Sequence, residues 1–350
     1  DALPIYGQRN KSTHGSVGTE AREDARPAER GGVDRSDSGD NVPDGSGSTR
    51  VSSVSREEGQ RSATDVKPES SEKETETDKK EDKNLNSRSF HQTVAEAESL
   101  ADENNTPAKR YRANIAAIKL IHQLEEEGRL ENATPEEQKV LASYSSWGGL
   151  GVYFGNSAQS KLDELREVLT DEEFEDAVSS LSSGYFTPPH IVKGMWDVLR
   201  HLGFKGGRVF EGSAGVGGML TLMPSDMLKN SSIRAVEKDS LTAKILKALH
   251  PDADVFSGGI EEVNAAPSSV DVAITNVPFV SGVHPVDKRN TDITRLNLDL
   301  HDFAIAKNVR LLAPGGIGVF MTTSLTLDKG NKLKEWLNTN GEADVLAAFR

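Results

Sequence analysis

Apolar residues recur at helical spacing in the second quarter of the chain. Ile115, Ile118, Ile121 and Leu124 lie three residues apart. Positions at this spacing share one face of a helix, so they predict an amphipathic helix over residues 107–127.

Three further helices are predicted before residue 184. The Thr-Pro-Glu-Glu run at 134–137 supplies an N-cap, a proline at the first helical position and a glutamate that can return the capping bond. The helix that it opens should extend to about Ser145. Two more helices fit residues 158–169 and 171–181, and Thr170 should cap the second of them.

From Gly184 onward, short apolar runs alternate with helical segments, which is typical of a parallel α/β sheet. Strands are expected at 208–211, 233–236, 254–256, 270–275, 316–321 and 344–349, with helices at 188–202, 218–228, 240–249, 301–312 and 329–338. Because nothing follows the last strand to cover it, we expect the α/β domain to be truncated at its carboxyl end.

The first part of the chain has a different composition. Between Tyr6 and Phe90 there is no aromatic residue, and Ser, Gly and charged residues dominate. Ordering such a segment costs roughly 1–2 kcal/mol per residue, which its few apolar groups cannot offset. We therefore predict a disordered acidic or polar tail over 1–90, either a solvated tether or a docking arm, a helical region over 91–183 and an α/β core over 184–350.

Charge and composition exclude several classes of function. The chain has 41 Lys and Arg against 55 Asp and Glu, a net charge of −14, which disfavours unaided binding of duplex DNA. Cysteine is absent, which excludes disulfides, thiolate metal sites and cysteine nucleophiles. The eight histidines have no metal-binding spacing, and no apolar run approaches the ~20 residues of a membrane span. We expect a soluble, intracellular chain without a metal or membrane partner, cut from a longer protein because it lacks an initiator Met.

A glycine-rich segment joins the first predicted strand to a helix. It contains Glu211, Gly212, Ala214, Gly215 and Gly217. Glycines let backbone N–H groups approach a ligand closely, so a nucleotide or nucleoside is expected against this turn. No Gly-Lys-Ser/Thr follows, which excludes a P-loop, and the third glycine of a dinucleotide fingerprint is missing. Alone, the turn could equally be structural.

An acidic residue ends the second predicted strand. Glu237 stands where a carboxylate can accept both hydroxyl hydrogens of a ribose. This position serves NAD and S-adenosylmethionine sites alike, so Glu237 does not choose between the cofactors. Taken alone, it could also be an ordinary exposed acid before a helix.

The run Asn276-Val277-Pro278-Phe279 ends the fourth predicted strand, next to the switch point of the sheet. Asn276 offers a side-chain carbonyl, Val277 a backbone carbonyl and Phe279 a stacking face. Two acceptors suit the N–H hydrogens of a planar amine and leave its lone pair directed at a methyl donor. An aromatic ring can hold an extruded base by its π-face.

These motifs resemble those of the amino-methylating S-adenosylmethionine-dependent methyltransferases, specifically the N6-adenine DNA methylases. Residues 211–217 are similar to the first motif D/E-P-x-A-G-x-G, with Gly212 in place of proline. Glu237 matches the ribose-binding acid, and residues 276–279 match N-P-P-Y/F. Thr187 lies in a T-P segment before the glycine-rich turn, which is the gamma-type motif order. The resemblance implies a Rossmann-like methyltransferase sheet.

The flanking segments are similar to a narrower group. Residues 110–114, 133–138, 144–150 and 311–316 resemble the large phage and plasmid methylase–helicase fusions of the defence-against-restriction group. The similarity extends over residues 107–350. It implies an antirestriction role within a larger chain, a following helicase half, and a location in the bacterial host cytoplasm or the virion.

The resemblance also assigns roles in S-adenosylmethionine-dependent methylation of adenine N6. Asn276, Pro278 and Phe279 would position the flipped base, and Val277 would act through its backbone carbonyl in place of the first proline of the motif. Thr187 and the glycine-rich turn would hold the methionine portion of the cofactor.

Glu237 would bind the ribose. Glu261 is the expected substitute for an acidic contact to the adenine of the cofactor, because no Asp stands near residues 257–261. DNA binding by this fragment alone should be weak.

Other functions stay open. The chain could bind the cofactor without catalysis, as a scaffold module of a larger virion assembly, which its acidic charge favours. Protein-glutamine and RNA-amine methylases share the N-x-P-F signature. An NAD-dependent oxidoreductase is the weakest alternative, since it has no use for residues 276–279.

Overall fold

The computed structural model of the chain describes residues 88–182, 184, 186–328, 331–341 and 343–349. All of them belong to one unit, which spans Glu72–Arg350. The predicted tail lies almost entirely outside the described residues.

Five helices of the described chain precede residue 184. They span Val94–Glu103 (α1), Pro107–Glu126 (α2), Pro135–Ala142 (α3), Gln159–Val168 (α4) and Asp171–Ser179 (α5). Short 3-10 turns span Leu130–Asn132, Gly151–Phe154, Asn156–Ala158 and Ser180–Ser182. The predicted caps at Thr134 and Thr170 are confirmed, because each hydroxyl accepts the backbone N–H three residues on and receives the reciprocal glutamate bond.

Helix α1 was not predicted from the sequence, although Thr93 and Glu96 form a capping box at its start. None of its residues is fully buried, so it lacks the apolar face on which helix prediction depends. Helix α3 ends at Ala142 rather than near Ser145, because the Ser145 N–H donates to Asn114 Oδ1 at 2.9 Å and leaves the helix.

Two polar side chains of α2 hold the loop that follows α3. Asn114 is fully buried; its Nδ2 donates to Ser146 O at 2.7 Å, and its Oδ1 accepts from the Ser145 N–H. The Arg110 guanidinium donates to Ser145 O at 3.2 Å and to Gly148 O at 3.0 Å. Ser146 has a φ of 54°. This left-handed conformation costs free energy in any residue that carries a Cβ. The α2 side chains therefore impose the shape of this loop.

Replacing Asn114 with alanine should destabilise the chain by about 2–4 kcal/mol, because it leaves a buried N–H and a buried carbonyl without partners. The midpoint of urea unfolding, followed by tryptophan fluorescence, measures the loss. Arg112→Ala on the exposed side of α2 is the matched control and should change stability by about 0.5 kcal/mol or less. Equal stability of the two variants would mean that the loop finds other partners.

The sheet has five parallel strands. They span Arg208–Glu211 (β1), Ser232–Glu237 (β2), Asp254–Ser257 (β3), Val270–Asn276 (β4) and Leu312–Met321 (β5). Their order is β3-β2-β1-β4-β5, so the chain changes direction across the sheet between β1 and β4. The first five predicted strands are confirmed. β5 begins at Leu312 rather than Gly316, and its pairing with β4 is irregular between Val270 and Val272, where β5 carries the extra residues.

The connections carry Pro189–His201 (α6), Gly218–Thr221 (α7), Ser225–Lys229 (α8), Ser240–Leu249 (α9), Thr291–Arg295 (α10), Leu300–Leu311 (α11), Leu325–Asp328 (α12) and Asn331–Trp336 (α13). A 3-10 turn spans Ile260–Glu262 and a π-helical turn spans Leu337–Gly341. The single helix predicted over 218–228 is wrong, because Pro224 has a ψ of 134° and starts a new helix at Ser225. The helix predicted over 329–338 is shorter, since regular α-helix ends at Trp336.

The strand predicted over 344–349 is also wrong. Residues 343–349 have no regular secondary structure. Val345, Leu346 and Phe349 are 60%, 75% and 87% exposed. A strand persists by pairing with a neighbour, and the apolar composition of this segment cannot replace that pairing.

Helices cover both faces of the sheet. Val209, Val272 and Ile274 pack with Trp196 of α6 on one face, whereas Phe210 packs with α11 on the other. A third apolar cluster joins Trp147 and α2 to α9, so it crosses the boundary predicted at residue 184, and that boundary stays a prediction. Among the described helices, none combines the length and apolarity that a bilayer crossing requires.

Candidate functional site

The predicted site residues converge at the carboxyl edge of the sheet. β1 and β4 are adjacent and parallel, with Val209 opposite Val272. Those two valines point to the face covered by α6. Side chains alternate between faces along a strand, so Glu211 and Asn276 point to that same face. The topological switch point thus brings the glycine-rich turn and the Asn276 amide together, where open α/β sheets bind ligands.

Glu237 joins this group from β2. Ala235 is the partner of Glu211 in the sheet, so Glu237, two residues later, shares its face. One carboxylate oxygen of Glu237 accepts the Gly215 N–H at 2.8 Å, and the other accepts the Asp239 N–H at 2.9 Å. Glu237 therefore fixes the glycine-rich turn as well as facing the site, and each oxygen retains a second lone pair for a ligand.

The glycine-rich turn has no room for side chains at two positions. Gly215 and Gly217 have φ angles of +56° and +84°. A Cβ on Gly215 would lie 2.8 Å from Phe186 Cε1, and one on Gly217 would lie 2.5 Å from His250 Cδ2. Burial lowers the pKa of His250 to about 4, so its ring is neutral at neutral pH, and Nε2 lies 3.2 Å from the Thr221 hydroxyl. The turn is packed closely on both sides.

The neighbours of Gly212 explain why glycine stands here in place of the proline of the D/E-P-x-A-G-x-G motif. A Cβ there would lie 2.8 Å both from Asn308 Nδ2 of α11 and from Ile260 Cδ1. A side chain at this position, proline included, would require the Asn308 and Ile260 side chains to shift, whereas glycine fits them as they stand. Ala214 is fixed by its N–H, which donates to Val236 O at 2.8 Å.

Three carboxyl groups surround this turn. Burial, together with the negative charge of Glu237, raises the pKa of Glu211 well above its usual range, and Glu211 Oε2 has no hydrogen-bond partner among the described residues. Burial raises the pKa of Glu237 to about 7, although the backbone N–H groups of Asp239, Gly215 and Lys238 act against it. Burial raises the pKa of Asp239 as well. Buried acids held so close together favour a cationic ligand.

The residues after β4 present one acceptor and one ring. Asn276 Oδ1 is buried and has no hydrogen-bond partner among the described residues. The Val277 side chain is buried, and its N–H donates to Met321 O at 3.1 Å, which anchors the motif to β5. Pro278 is half-buried and Phe279 is 39% exposed. A buried acceptor without a partner is uncommon in folded chains and suits a ligand.

The remaining two predicted residues lie on either side of the turn. Thr187 is half-buried and directly follows Phe186, whose ring covers Gly215. Glu261 lies in the turn after β3, where the Gly258 N–H donates to Glu237 O at 2.8 Å. The structure thus brings all the predicted site residues to one edge of the sheet.

The sequence did not single out four residues that shape the site. Phe186 and Asp239 stand next to predicted residues, so their positions alone could have indicated them. Helix α11 carries five polar or charged residues, so its sequence alone does not single out Asn308. His250 carries no signal in its local sequence.

Strand order, parallel pairing, helices on both faces and the glycine-rich turn define the class. The described chain has a Rossmann-like fold, as predicted.

The sequence and the fold are similar to those of known proteins. The chain is 25% identical over 245 residues to the Defense against restriction protein B of Escherichia phage P1. The match covers 69% of this chain and 9% of that protein, so the chain spans about a tenth of its length. No family model matches the sequence.

Solved structures with a similar fold include a Listeria monocytogenes protein assigned to the class I S-adenosylmethionine-dependent methyltransferases. It is 15% identical, with a TM-score of 0.41, over 67% of this chain and 79% of that one. The methyltransferase subunit of a type I restriction-modification system from Streptococcus thermophilus is 17% identical, with a TM-score of 0.38, over 69% of this chain and 58% of that one.

Proposed function

We propose that this chain transfers a methyl group from S-adenosylmethionine to the exocyclic N6 of adenine in DNA, as part of a larger phage or plasmid antirestriction protein. The observation that carries the proposal is the buried Asn276 amide oxygen without a partner. It lies at the end of β4, on the same face as Glu211 and Glu237. An amine held there would be adjacent to the turn expected to bind the cofactor.

The residues of the turn fit S-adenosylmethionine. Bound in this site, the cofactor supplies an electrophilic methyl group on a sulfonium, which leaves as a neutral thioether. The raised pKa values of Glu211 and Glu237 support binding of a ligand that carries a sulfonium and an ammonium. Glu237 would accept the ribose hydroxyls, and Glu261 would contact the adenine.

Thr187 and residues 212–217 would hold the methionine portion. The close packing of Phe186 against Gly215 supports this part of the assignment, because it keeps the backbone of the turn in one conformation.

The groups after β4 would orient the target amine. Asn276 Oδ1 and the Val277 carbonyl would each accept one N–H hydrogen, which leaves the nitrogen lone pair free to attack the methyl carbon. Phe279, partly exposed, would stack on the base. The protein would orient and desolvate the reactants without a covalent intermediate on any of its side chains.

Incubation of the chain with tritium-labelled S-adenosylmethionine and DNA free of adenine methylation tests the proposal. The expected product, after digestion and chromatography of the nucleosides, is labelled N6-methyldeoxyadenosine. Parallel incubations supply RNA and protein as acceptors, and label only in RNA or in protein glutamine would overturn the assignment of DNA as substrate. The net charge predicts weak binding of DNA by this chain alone, so the assay needs high DNA concentration and low salt.

A second candidate is a cofactor-binding module without catalysis inside a larger assembly. The net charge of −14 favours it, because duplex DNA requires cations at its interface. Calorimetric titration with S-adenosylmethionine separates the candidates. Binding without transfer to DNA, RNA or protein supports the module, and transfer to DNA excludes it.

A further inference from the structure

A buried ion pair joins α11 to the loop that follows Asn276. Lys307 Nζ lies 2.5 Å from Asp287 Oδ2 and donates to Val263 O at 3.2 Å. Both side chains are 0% exposed, and among the ion pairs of the described residues no other has two fully buried partners. A buried ion pair contributes no more to the free energy of unfolding than well-packed apolar residues of similar volume would. Stability alone therefore does not account for this pair.

The Asp287 carboxylate organises its own segment of the loop. It accepts the backbone N–H groups of Arg289 at 2.8 Å and of Asn290 at 3.1 Å, and Asn290 Nδ2 at 2.7 Å. The Asp287 N–H donates to Thr294 Oγ1, and that hydroxyl donates back to Asp287 O. Burial acts to raise the pKa of Asp287, but Lys307 and these donors hold it below its usual value. The carboxylate is therefore ionised and is the centre of a folded turn.

This turn belongs to the connection from β4 to α11 over residues 277–299, called the 277–299 loop, which includes the short helix α10. Near the start of the loop stands Phe279, and Val283 and Val286 follow it with 44% and 64% of their surface exposed. The loop thus presents apolar side chains to solvent while its polar centre is buried. Of these side chains, Phe279 stands three residues after Asn276, where the target base is expected.

Helix α11 also reaches the other side of the site. Asn308, next to Lys307, lies where a Cβ on Gly212 would collide with it. Successive buried polar residues of one helix therefore contact the glycine-rich turn and the loop after Asn276. This arrangement fixes the distance between the two halves of the site through a rigid element.

We propose that Lys307 and Asp287 are positioning residues: their ion pair holds the 277–299 loop, and Phe279 with it, in the place where the target base is clamped beside Asn276. The proposal deepens, and rests on, the function proposed above. Lys307 contacts neither cofactor nor base and acts through the loop.

Lys307→Met tests the proposal, because it keeps the length of the side chain and removes its charge. Hydrogen exchange at the amides of Arg289 and Asn290 should accelerate about tenfold or more, while amides of β1 and β2 keep the parent rate. The KM for DNA should rise about tenfold or more, with S-adenosylmethionine affinity within about twofold of the parent. Lys307→Arg should restore most of both losses.

Lys193→Met is the matched control. Lys193 pairs with Asp197 at 2.6 Å on the exposed side of α6, so its loss should leave both readouts unchanged. Parent-like exchange of the loop in Lys307→Met overturns the proposal, and so does acceleration spread evenly over the whole chain. If Lys307→Met does not fold, Asp287→Asn takes its place, with the same outcomes required.

The exchange measurement separates this proposal from the proposed function. If the parent chain methylates no substrate, the enzyme assignment fails, but loop exchange still decides whether the ion pair holds the loop. If the parent methylates DNA and the Lys307→Met variant keeps its KM, only the positioning proposal fails.

Discussion

Replacing Asn276 with alanine should reduce methyl transfer to DNA by about 100-fold or more and leave cofactor affinity within about twofold of the parent. The amide oxygen is buried without a partner, so the apo chain gains nothing from it and loses little stability when it is removed. The amine loses one of its acceptors, and its lone pair is no longer oriented towards the methyl carbon. Tritium transfer measures the activity, and calorimetric titration measures the binding.

Asn264→Ala is the matched control for this variant. Asn264 is exposed after β3, and its backbone carbonyl, which the substitution retains, accepts from Arg234. The rate of methyl transfer and the affinity for the cofactor should both equal those of the parent. Full transfer by Asn276→Ala would remove Asn276 from the site, whereas loss of cofactor binding in the same variant would place it in the cofactor half.

The sheet and the site were predictable from the sequence for related reasons. β1, β2 and β4 are short apolar runs, each ending in a polar residue: Glu211, Glu237 and Asn276. In a parallel sheet such ends meet at one edge, so identifying the strands also placed these three candidate site residues together. Helix caps such as Thr134 were equally readable, because a capping box is a local pattern.

The errors have three different causes. Residues 344–349 have an apolar composition suited to a strand, but no pairing in the structure makes them one. Helix α1 has no buried face, so its sequence lacks the apolar periodicity that indicates a helix. The single helix predicted over 218–228 was wrong for a local reason, because Pro224 interrupts a continuous helix.

In the candidate site, too, features set by a local motif were predictable, and features set by contacts between residues distant in sequence were not. Motif positions predicted which residues would gather, but not that Glu237 would also bind the backbone of the glycine-rich turn. The absence of a side chain at Gly212 depends on Asn308 and Ile260, which are distant in sequence. The Lys307–Asp287 pair was invisible for the same reason.

Cofactor binding should release a proton, because the site raises the pKa of Glu237 to about 7 and a cationic ligand favours the ionised carboxylate. Affinity for S-adenosylmethionine should rise with pH and level off above about 7, and be about tenfold weaker near pH 6 than near pH 8 if binding requires ionised Glu237. Titrations near pH 6 in buffers with different ionisation enthalpies measure the release, expected to be about one proton. Glu237→Gln should bind weakly and release less. Unchanged affinity across this range would contradict the assignment of Glu237 to the cofactor site.

The stability of the apo chain should respond to pH in the opposite sense. The Glu237 pKa is about 7 in the folded chain and 4.5 in the unfolded one, so between these values the folded state holds the extra proton, and stability falls as pH rises. His250 opposes this trend, because its pKa is about 4 when folded and 6.5 when unfolded. The free energy of unfolding of the parent minus that of Glu237→Gln, followed against pH, therefore isolates Glu237. A constant difference reports the lost hydrogen bonds from the backbone, and a difference that changes between pH 4.5 and about 7 reports the titration of Glu237.

Glu164→Gln is the control. The hydrogen bond from Lys161 lowers the pKa of the Glu164 carboxyl in the folded chain, so above about pH 5.5 the group is ionised in both the folded and the unfolded state, and its removal leaves the parent slope unchanged there. Parallel curves for the parent and Glu237→Gln would show that Glu237 is ionised in the apo chain. The glycine-rich turn would then carry its negative charge before any cofactor binds.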